Sequence, residues 1–100
     1  MSDMEQFKTY GRPIEAGGLT AAYTSAAGAT SAVNKDANCI RVVSTTDCFI
    51  RISTAGTAAA ENTGLYLPAF TPEYFDCPPK AIVSAIRVSA DGSIYVSPFA

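Results

Sequence analysis

The sequence contains no histidine and no tryptophan, and charged residues make up only 16% of its 100 residues. Without histidine, the chain lacks the side chain that most often activates a serine or cysteine nucleophile near neutral pH. The sequence also has no GxSxG elbow, no P-loop and no dinucleotide-binding glycine pattern. These absences argue against an enzyme, and we expect neither catalytic residues nor a small-molecule substrate.

Blocks of positive charge and long apolar runs are missing too. The formal net charge is -2, and the seven Lys and Arg residues are scattered, so no nucleic-acid partner is expected. No apolar stretch approaches the roughly 20 residues of a membrane span. The start, "MSDMEQFKTYGRP", lacks the apolar segment of a signal peptide. We therefore expect a protein made in a reducing cytoplasm, without a membrane partner.

The three cysteines, Cys39, Cys48 and Cys77, leave two interpretations open. One is a cysteine-based or metal site, although no CxxC spacing is present and zinc would need a carboxylate as its fourth ligand. The other is that the cysteines act as small apolar side chains packed in or near a core. The spacing favours the second interpretation, so no metal and no cofactor are expected.

The chain from residue 40 onward is typical of β-structure. Short runs rich in β-branched and aromatic residues alternate with turn residues: "IRVV", "CFIRI", "LYL", "EYFDC", "AIVSAIRVS" and "SIYVS". This pattern predicts an all-β fold, a small antiparallel sandwich of jelly-roll-like type, over residues 19–100. Residues 1–18 show no regular period and are predicted to be an extended N-terminal arm, either disordered or ordered by lying across a partner.

The stretch "CIRVVSTTDCFIRIS" predicts a first β-hairpin. Placing Val42 opposite Ile50 keeps the apolar residues on one face and requires an odd-length loop over residues 45–47. In this register Arg41 lies directly opposite Arg51 on the outer face.

The stretch "AIRVSADGSIYVS" predicts a second hairpin with a bulged three-residue turn. Gly92 would then adopt a left-handed conformation, and Ile86 would face Val96. On the opposite face Arg87 would lie beside Tyr95.

Two like charges opposite one another destabilise a strand pair unless something offsets them. One explanation is an intrachain carboxylate from Glu61, Glu73 or Asp76. The other is a carboxylate on a neighbouring subunit, because arginine suits bidentate pairing at interfaces. The residues predicted to bind a partner are Arg41, Val43, Phe49, Arg51, Arg87 and Tyr95.

The segments "DCFIRIS", "GLYLPAFTPEYFDCPP" and "AIVSAIRVSADGSIYVS" resemble small structural proteins of tailed bacteriophages, over about residues 31–97. The resemblance implies a virion component that assembles in the bacterial host cytoplasm. Its expected role is capsid decoration, or cement: a protein that binds the outer capsid surface and staples neighbouring subunits. Its expected partners are the major capsid protein or another virion protein. A head-tail or tail accessory protein is the alternative.

Low surface charge favours association, so a homo-oligomer is expected. The aromatic-rich stretch "LYLPAFTPEYF" leaves a further alternative open, since exposed aromatic side chains also form sugar-binding faces. In that case the chain would be a small carbohydrate-binding module of a host-recognition apparatus, and Tyr66 or Tyr74 would contact the sugar.

Overall fold

The computed structural model describes residues 11–59 and 63–100. These residues form β-strands and no helix, which confirms the predicted all-β class. The eight described strands are β1 (Leu19–Tyr23), β2 (Gly28–Ala29), β3 (Cys39–Ser44), β4 (Cys48–Ser53), β5 (Leu65–Leu67), β6 (Glu73–Asp76), β7 (Ile82–Arg87) and β8 (Gly92–Phe99).

The strands form two antiparallel sheets of four strands each, and the predicted antiparallel sandwich is therefore confirmed. The front sheet has the order β1-β8-β3-β6, and the back sheet has the order β2-β7-β4-β5. Partners are nested along the chain: β1 pairs with β8, β2 with β7, β3 with β6 and β4 with β5. Among the described strands, only β4 and β5 are both consecutive and paired.

The core lies between the two sheets and is built from alternate residues of each strand, because successive side chains of a strand point to opposite faces. Full burial of a Val, Ile or Leu side chain contributes roughly 1.5–3 kcal/mol relative to exposure. The largest apolar side chains of this core are Ile40, Val42, Ile50, Leu67, Val83, Ile94 and Val96, all fully buried.

The first predicted hairpin is wrong in its pairing. Residues 45–47 do connect β3 to β4, but they cross from the front sheet to the back sheet. Val42 pairs with Val96, and Ile50 pairs with Ala85. Both Val42 and Ile50 still face the core. Apolar and polar residues alternate along a strand in the same way whether two strands pair in one sheet or lie in two sheets that pack across a core.

The second predicted hairpin is wrong for the same reason, because β7 belongs to the back sheet and β8 to the front sheet. Ile86 pairs with Phe49 rather than facing Val96. Gly92 is not in the left-handed region, which the described glycines enter only at positions 11 and 56. Instead it is a site of close approach, since a Cβ there would lie 2.5 Å from Thr46 Oγ1.

The loops at one end of the sandwich are joined by hydrogen bonds around a buried tyrosine. The Tyr23 hydroxyl donates to the Thr46 carbonyl oxygen at 2.9 Å and lies 2.8 Å from Thr46 Oγ1. Thr46 Oγ1 also donates to the Ala90 carbonyl oxygen at 2.9 Å. Burial raises the pKa of Tyr23, so this hydroxyl stays protonated and remains a donor. The 45–47 and 88–91 connections are thereby held against the end of β1.

The predicted arm is described only in its second half, and residues 1–10 lie outside the described residues. Arg12 and Ala100 exchange backbone hydrogen bonds of 3.0 and 2.9 Å, and the Ile14 amide donates to the Pro98 carbonyl oxygen at 2.9 Å. The Ile14 side chain packs against the core. Residues 11–14 therefore run beside the end of β8 of their own chain, and the boundary at residue 18 stays a prediction.

Candidate functional site

The structure divides the six predicted partner-binding residues between two sheets. Arg41, Val43 and Tyr95 lie on the outward side of the front sheet, where Val43 and Tyr95 are direct neighbours. Phe49 and Arg51 lie on the outward side of the back sheet. The predicted surface is therefore two surfaces, one on each side of the sandwich.

Arg87 belongs to neither outward side. It pairs with Cys48 at the last position of β7, and its guanidinium donates to Asp91 at 2.7 Å. This ion pair joins the end of β7 to the connection that precedes β8. The predicted placement of Arg87 beside Tyr95 is wrong, because the two residues lie in different sheets.

The predicted opposition of Arg41 and Arg51 is wrong as well. Arg41 lies between Tyr74 and Ser97 in the front sheet, and Arg51 lies opposite Ser84 in the back sheet. The crossing of residues 45–47 between the sheets separates the two guanidinium groups, so no like-charge conflict arises. Within the described residues, neither arginine forms an ion pair with a carboxylate.

The outward side of the front sheet, called the front face below, combines aromatic, small polar and charged side chains. Tyr74 and Tyr95 are 44% and 50% exposed, which is high for aromatic residues within strands. The Tyr74 ring lies 5.9 Å from the Phe99 ring in a tilted contact. The exposed or half-buried residues that form the front face are Thr20, Ala22, Arg41, Val43, Tyr74, Asp76, Ser93, Tyr95, Ser97 and Phe99.

The outward side of the back sheet is partly covered by the chain that follows β4. The Ala59 amide donates to Ser84 Oγ at 3.0 Å, and Ser84 Oγ donates to the Gly28 carbonyl oxygen at 3.1 Å. Ala59 and Ser84 are both buried, although Ser84 points away from the core. An open groove of about 320 Å³ beside this segment is lined partly by Arg51 and Leu65.

A third surface is centred on Asp47 and is called the Asp47 corner below; it comprises Asp47, Tyr66, Ala69 and Phe70. The Ala69 amide donates to Asp47 Oδ1 at 2.8 Å, and the Phe70 amide donates to the Ser44 carbonyl oxygen at 2.8 Å. These two bonds fix the connection between β5 and β6.

The electrostatics of the corner follow from the same contacts. The pKa of Asp47 is held below its usual value mainly by the hydrogen bond from the Ala69 amide, and to a smaller extent by the hydrogen bond from the Tyr66 hydroxyl. The same hydrogen bond raises the pKa of Tyr66, because Asp47 stabilises the protonated hydroxyl. Asp47 is therefore ionised and Tyr66 protonated at neutral pH, as this bond requires.

Phe70 is the functional candidate that sequence reasoning missed. Its ring is 73% exposed, and its backbone has φ 55°, a left-handed conformation that is rare for a bulky residue. The turn residues on either side in "LPAFTP" were an available signal, because they place Phe70 in a loop rather than in a strand. The Tyr66 ring next to this loop packs edge-on against Phe49 at 5.7 Å.

All three cysteines are buried thiols, as the small-apolar interpretation predicted. Burial is the main cause that raises the pKa of Cys48 and of Cys77, so both remain neutral thiols. Within residues 11–59 and 63–100, no cluster of three or more Cys, Asp or Glu side chains is arranged to hold a metal ion. Cys48 and Cys77 belong to the core cluster, whereas Cys39 is buried on the outward side of β3, between Asp76 and Phe99.

Comparisons of the chain with protein-family profiles, with curated proteins and with solved structures find no match. The described part of the chain contains no helix that is long and apolar enough to cross a membrane. The functional information in this molecule therefore lies in its surfaces.

Proposed function

We propose that this protein is a structural component of a tailed-phage virion, a capsid decoration protein that binds the outer capsid surface and staples neighbouring subunits. The nested strand pairing supports the proposal, because pairing the first strand with the last, the second with the seventh, and so on, is the order that a jelly roll gives. Viral capsid domains use this architecture. Since lectins and cupins use it too, the fold alone does not carry the function.

The exposed Phe70 ring at the Asp47 corner is the observation that carries the proposal. A non-glycine residue in the left-handed region costs roughly 1–3 kcal/mol and persists only where the surroundings enforce it. Here the enforcing contacts are the bonds of the Ala69 and Phe70 amides to Asp47 and Ser44. This strain gives the isolated chain no packing in return, because the ring points largely into solvent.

A ring held in this way is suited to be an anchor for a partner. Rigid aromatic side chains dominate binding energy where they fill a pocket, and a fixed loop loses little entropy on binding. The pocket we propose takes only the Phe70 ring, and the Asp47 carboxylate, which accepts a hydrogen bond from the Ala69 amide, stays hydrated at its rim, because burying a charge without a counter-charge is costly. The partner we propose is the outer surface of the major capsid protein.

A single aromatic anchor on each copy can hold the protein on a capsid only because the capsid presents the same binding site many times. Symmetry-related sites allow many weak contacts to act together, so avidity replaces single-site affinity. The low charge of the chain, with 16% charged residues, limits the desolvation that each contact requires.

The test adds purified protein to preformed capsids that lack it and measures the bound fraction by sedimentation. Phe70→Asn removes the ring but suits the left-handed backbone, since asparagine is enriched there. We expect this variant to lose at least about tenfold in apparent affinity. Leu65→Ala is the matched control, because Leu65 is another exposed apolar residue, at 51%, that lies outside the corner. Equal binding by Phe70→Asn and the wild type, or absence of the protein from purified virions, would refute the proposal.

Two other roles are compatible with these surfaces. The exposed Tyr74 and Tyr95 rings on the front face would suit a carbohydrate-binding module. Glycan-array binding that is lost in Tyr74→Ala would favour that role over decoration. A head-tail or tail accessory protein would share the same surfaces, and the position of the protein in a low-resolution map of the virion distinguishes it from a capsid decoration protein.

A further inference from the structure

We propose that the front face binds the front face of a second copy of this chain, with Arg41 of each copy paired to Asp76 of the other about a two-fold axis. The inference concerns the isolated protein and does not depend on the virion proposal. It rests on the charges of the front face, their places in the strand register, and the size of the face.

Arg41 and Asp76 lie on the same side of the front sheet. Arg41 is opposite Tyr74, and Cys39 is opposite Asp76, so the two charged residues are diagonal neighbours across β3 and β6. They are the two charged residues of the front face, whose other members are aromatic, aliphatic or hydroxyl side chains. Within the described residues neither of them takes part in an ion pair.

One cation and one anion on an otherwise neutral surface make that surface complementary to itself. In an isologous contact, a residue pair that meets on one side of the two-fold axis meets again, with the copies exchanged, on the other side. An axis that passes midway between Arg41 and Asp76 therefore places Arg41 of each copy over Asp76 of the other. A purely apolar partner would instead bury both charges without compensation, which is costly. A uniformly charged partner would satisfy one of them and repel the other.

The aromatic side chain nearest to this axis is Tyr74. It is the direct neighbour of Arg41 across the strands and lies two positions before Asp76 on β6. Its ring is partly supported by Phe99 and 44% exposed. A tyrosine at the centre of a contact, with charge pairs around it, is the composition typical of an interface core.

The size of the face determines how strong the contact can be. Four strands about 4.8 Å apart and about six residues long cover roughly 20 × 20 Å, or about 400 Å² on each copy. A standard stable interface buries about 800 Å² on each partner. The dimer is therefore weak in dilute solution and forms where the protein is concentrated, as on an ordered surface.

The test uses charge reversal, measured by sedimentation equilibrium of the purified full chain up to about millimolar concentration. Arg41→Asp and Asp76→Arg each place like charges opposite one another in their homodimers. We expect each single variant to dimerise at least about tenfold more weakly than the wild type. In an equimolar mixture of the two variants, the heterodimer places the two carboxylates of one copy against the two guanidinium groups of the other, so dimerisation should return.

Restoration in the mixture separates a contact between copies from a bond within one chain, because mixing two variants cannot repair an intrachain bond. Arg51→Asp on the back sheet is the matched control and should dimerise as the wild type does. Phe70→Asn should also leave the dimer unchanged, which keeps this test independent of capsid binding. The inference is overturned if the wild type stays monomeric throughout the range, or if the mixture is no better than either variant alone.

Discussion

At the residue scale, Gly92 lies in a close contact with two threonines and a tyrosine. A Cβ at this position would lie 2.7 Å from Thr45 Oγ1 and 2.8 Å from the Tyr23 hydroxyl oxygen, as well as 2.5 Å from Thr46 Oγ1. Those oxygens are already engaged in the hydrogen bonds that hold the loops together. Any side chain at position 92 must therefore displace a bonded group.

We expect Gly92→Ala to lower the free energy of unfolding by about 1–3 kcal/mol, the usual cost of overpacking a tight site. Gly18→Ala is the control, because a Cβ there would meet only the Val96 carbonyl oxygen, at 3.8 Å. That control should be neutral or slightly stabilising, since alanine restricts the unfolded chain. Urea unfolding followed by circular dichroism measures both, and equal midpoints for the two variants would contradict the steric argument.

Asp47 gives the protein a predictable dependence on acid. Because its folded-state pKa is depressed, the Asp47 carboxylate stabilises the fold above its unfolded pKa of about 3.9, and this contribution is lost as the pH falls through the folded-state pKa. We expect Asp47→Asn to be less stable than the wild type at pH 7 and the difference to shrink below about pH 4. Tyr66→Phe removes one of the two donors and should show a smaller change of the same sign. Urea unfolding at a series of pH values measures both, and a difference that grows on acidification would show that Asp47 does not act through its charge.

At the element scale, the sequence predicts which side chains face the core more reliably than which strands pair. The alternation of Ile40 and Val42 with Arg41 and Val43 is seen as expected. However, three residues between two strands can form a hairpin turn or a crossing between sheets, and the inward alternation is identical in both. Whether the chain turns or crosses depends on hydrogen-bond partners far away in the sequence. For this reason the predicted partner-binding residues, expected on one surface, lie on two different sheets. The turn residues around Phe70 indicate a loop, but the fixed position of its ring depends on contacts with Asp47 and Ser44, which no local pattern encodes.

A pair of engineered cysteines separates the two strand arrangements directly. Val43→Cys with Tyr95→Cys should form a disulfide on mild oxidation, since these residues are cross-strand neighbours and such neighbours have Cβ atoms about 4.5–5.5 Å apart. The double variant Val43→Cys with Phe49→Cys would form a disulfide only if β3 paired with β4 as a hairpin. We therefore expect no disulfide in this second variant. Peptide mapping identifies the products, and the buried native thiols should remain unmodified. A bridge in the second variant alone would refute the strand order.

At the scale of the whole molecule, the two proposed contacts use different parts of the sandwich. The front face is a broad, nearly neutral sheet surface, and the Asp47 corner belongs to the loops at one end. A chain with two independent contacts can bind a capsid through one and its own neighbour through the other, which is what stapling requires. The 11–14 segment lies beside the end of β8, on the side of β8 that β1 occupies farther along the strand.

Removing residues 1–18 should weaken the fold, because it deletes the bonds between Arg12 and Ala100 and the packing of Ile14. We expect a loss of about 2 kcal/mol in the free energy of unfolding, from a partly buried side chain and a few hydrogen bonds. Removal of residues 1–10 alone is the control, since it retains those contacts. Thermal unfolding measures both truncations, and an equal stability for the two would show that residues 11–18 do not support the sandwich. The β circular-dichroism signal should persist in both.

The nested order of the strands also determines when the chain can fold. The front sheet needs β1 beside β8, which joins Leu19 to Val96, so its edge cannot form until residue 96 has left the ribosome. Strand pairs that join residues so far apart in the sequence form slowly, in milliseconds to seconds. The edges of the unpaired strands stay exposed until the pairing is complete. During synthesis, the β4–β5 pair is the first local ladder available to the described strands, and it is a short one. The front sheet therefore closes only once β8 has been synthesised, and until then β1 has no partner among the described strands of that sheet.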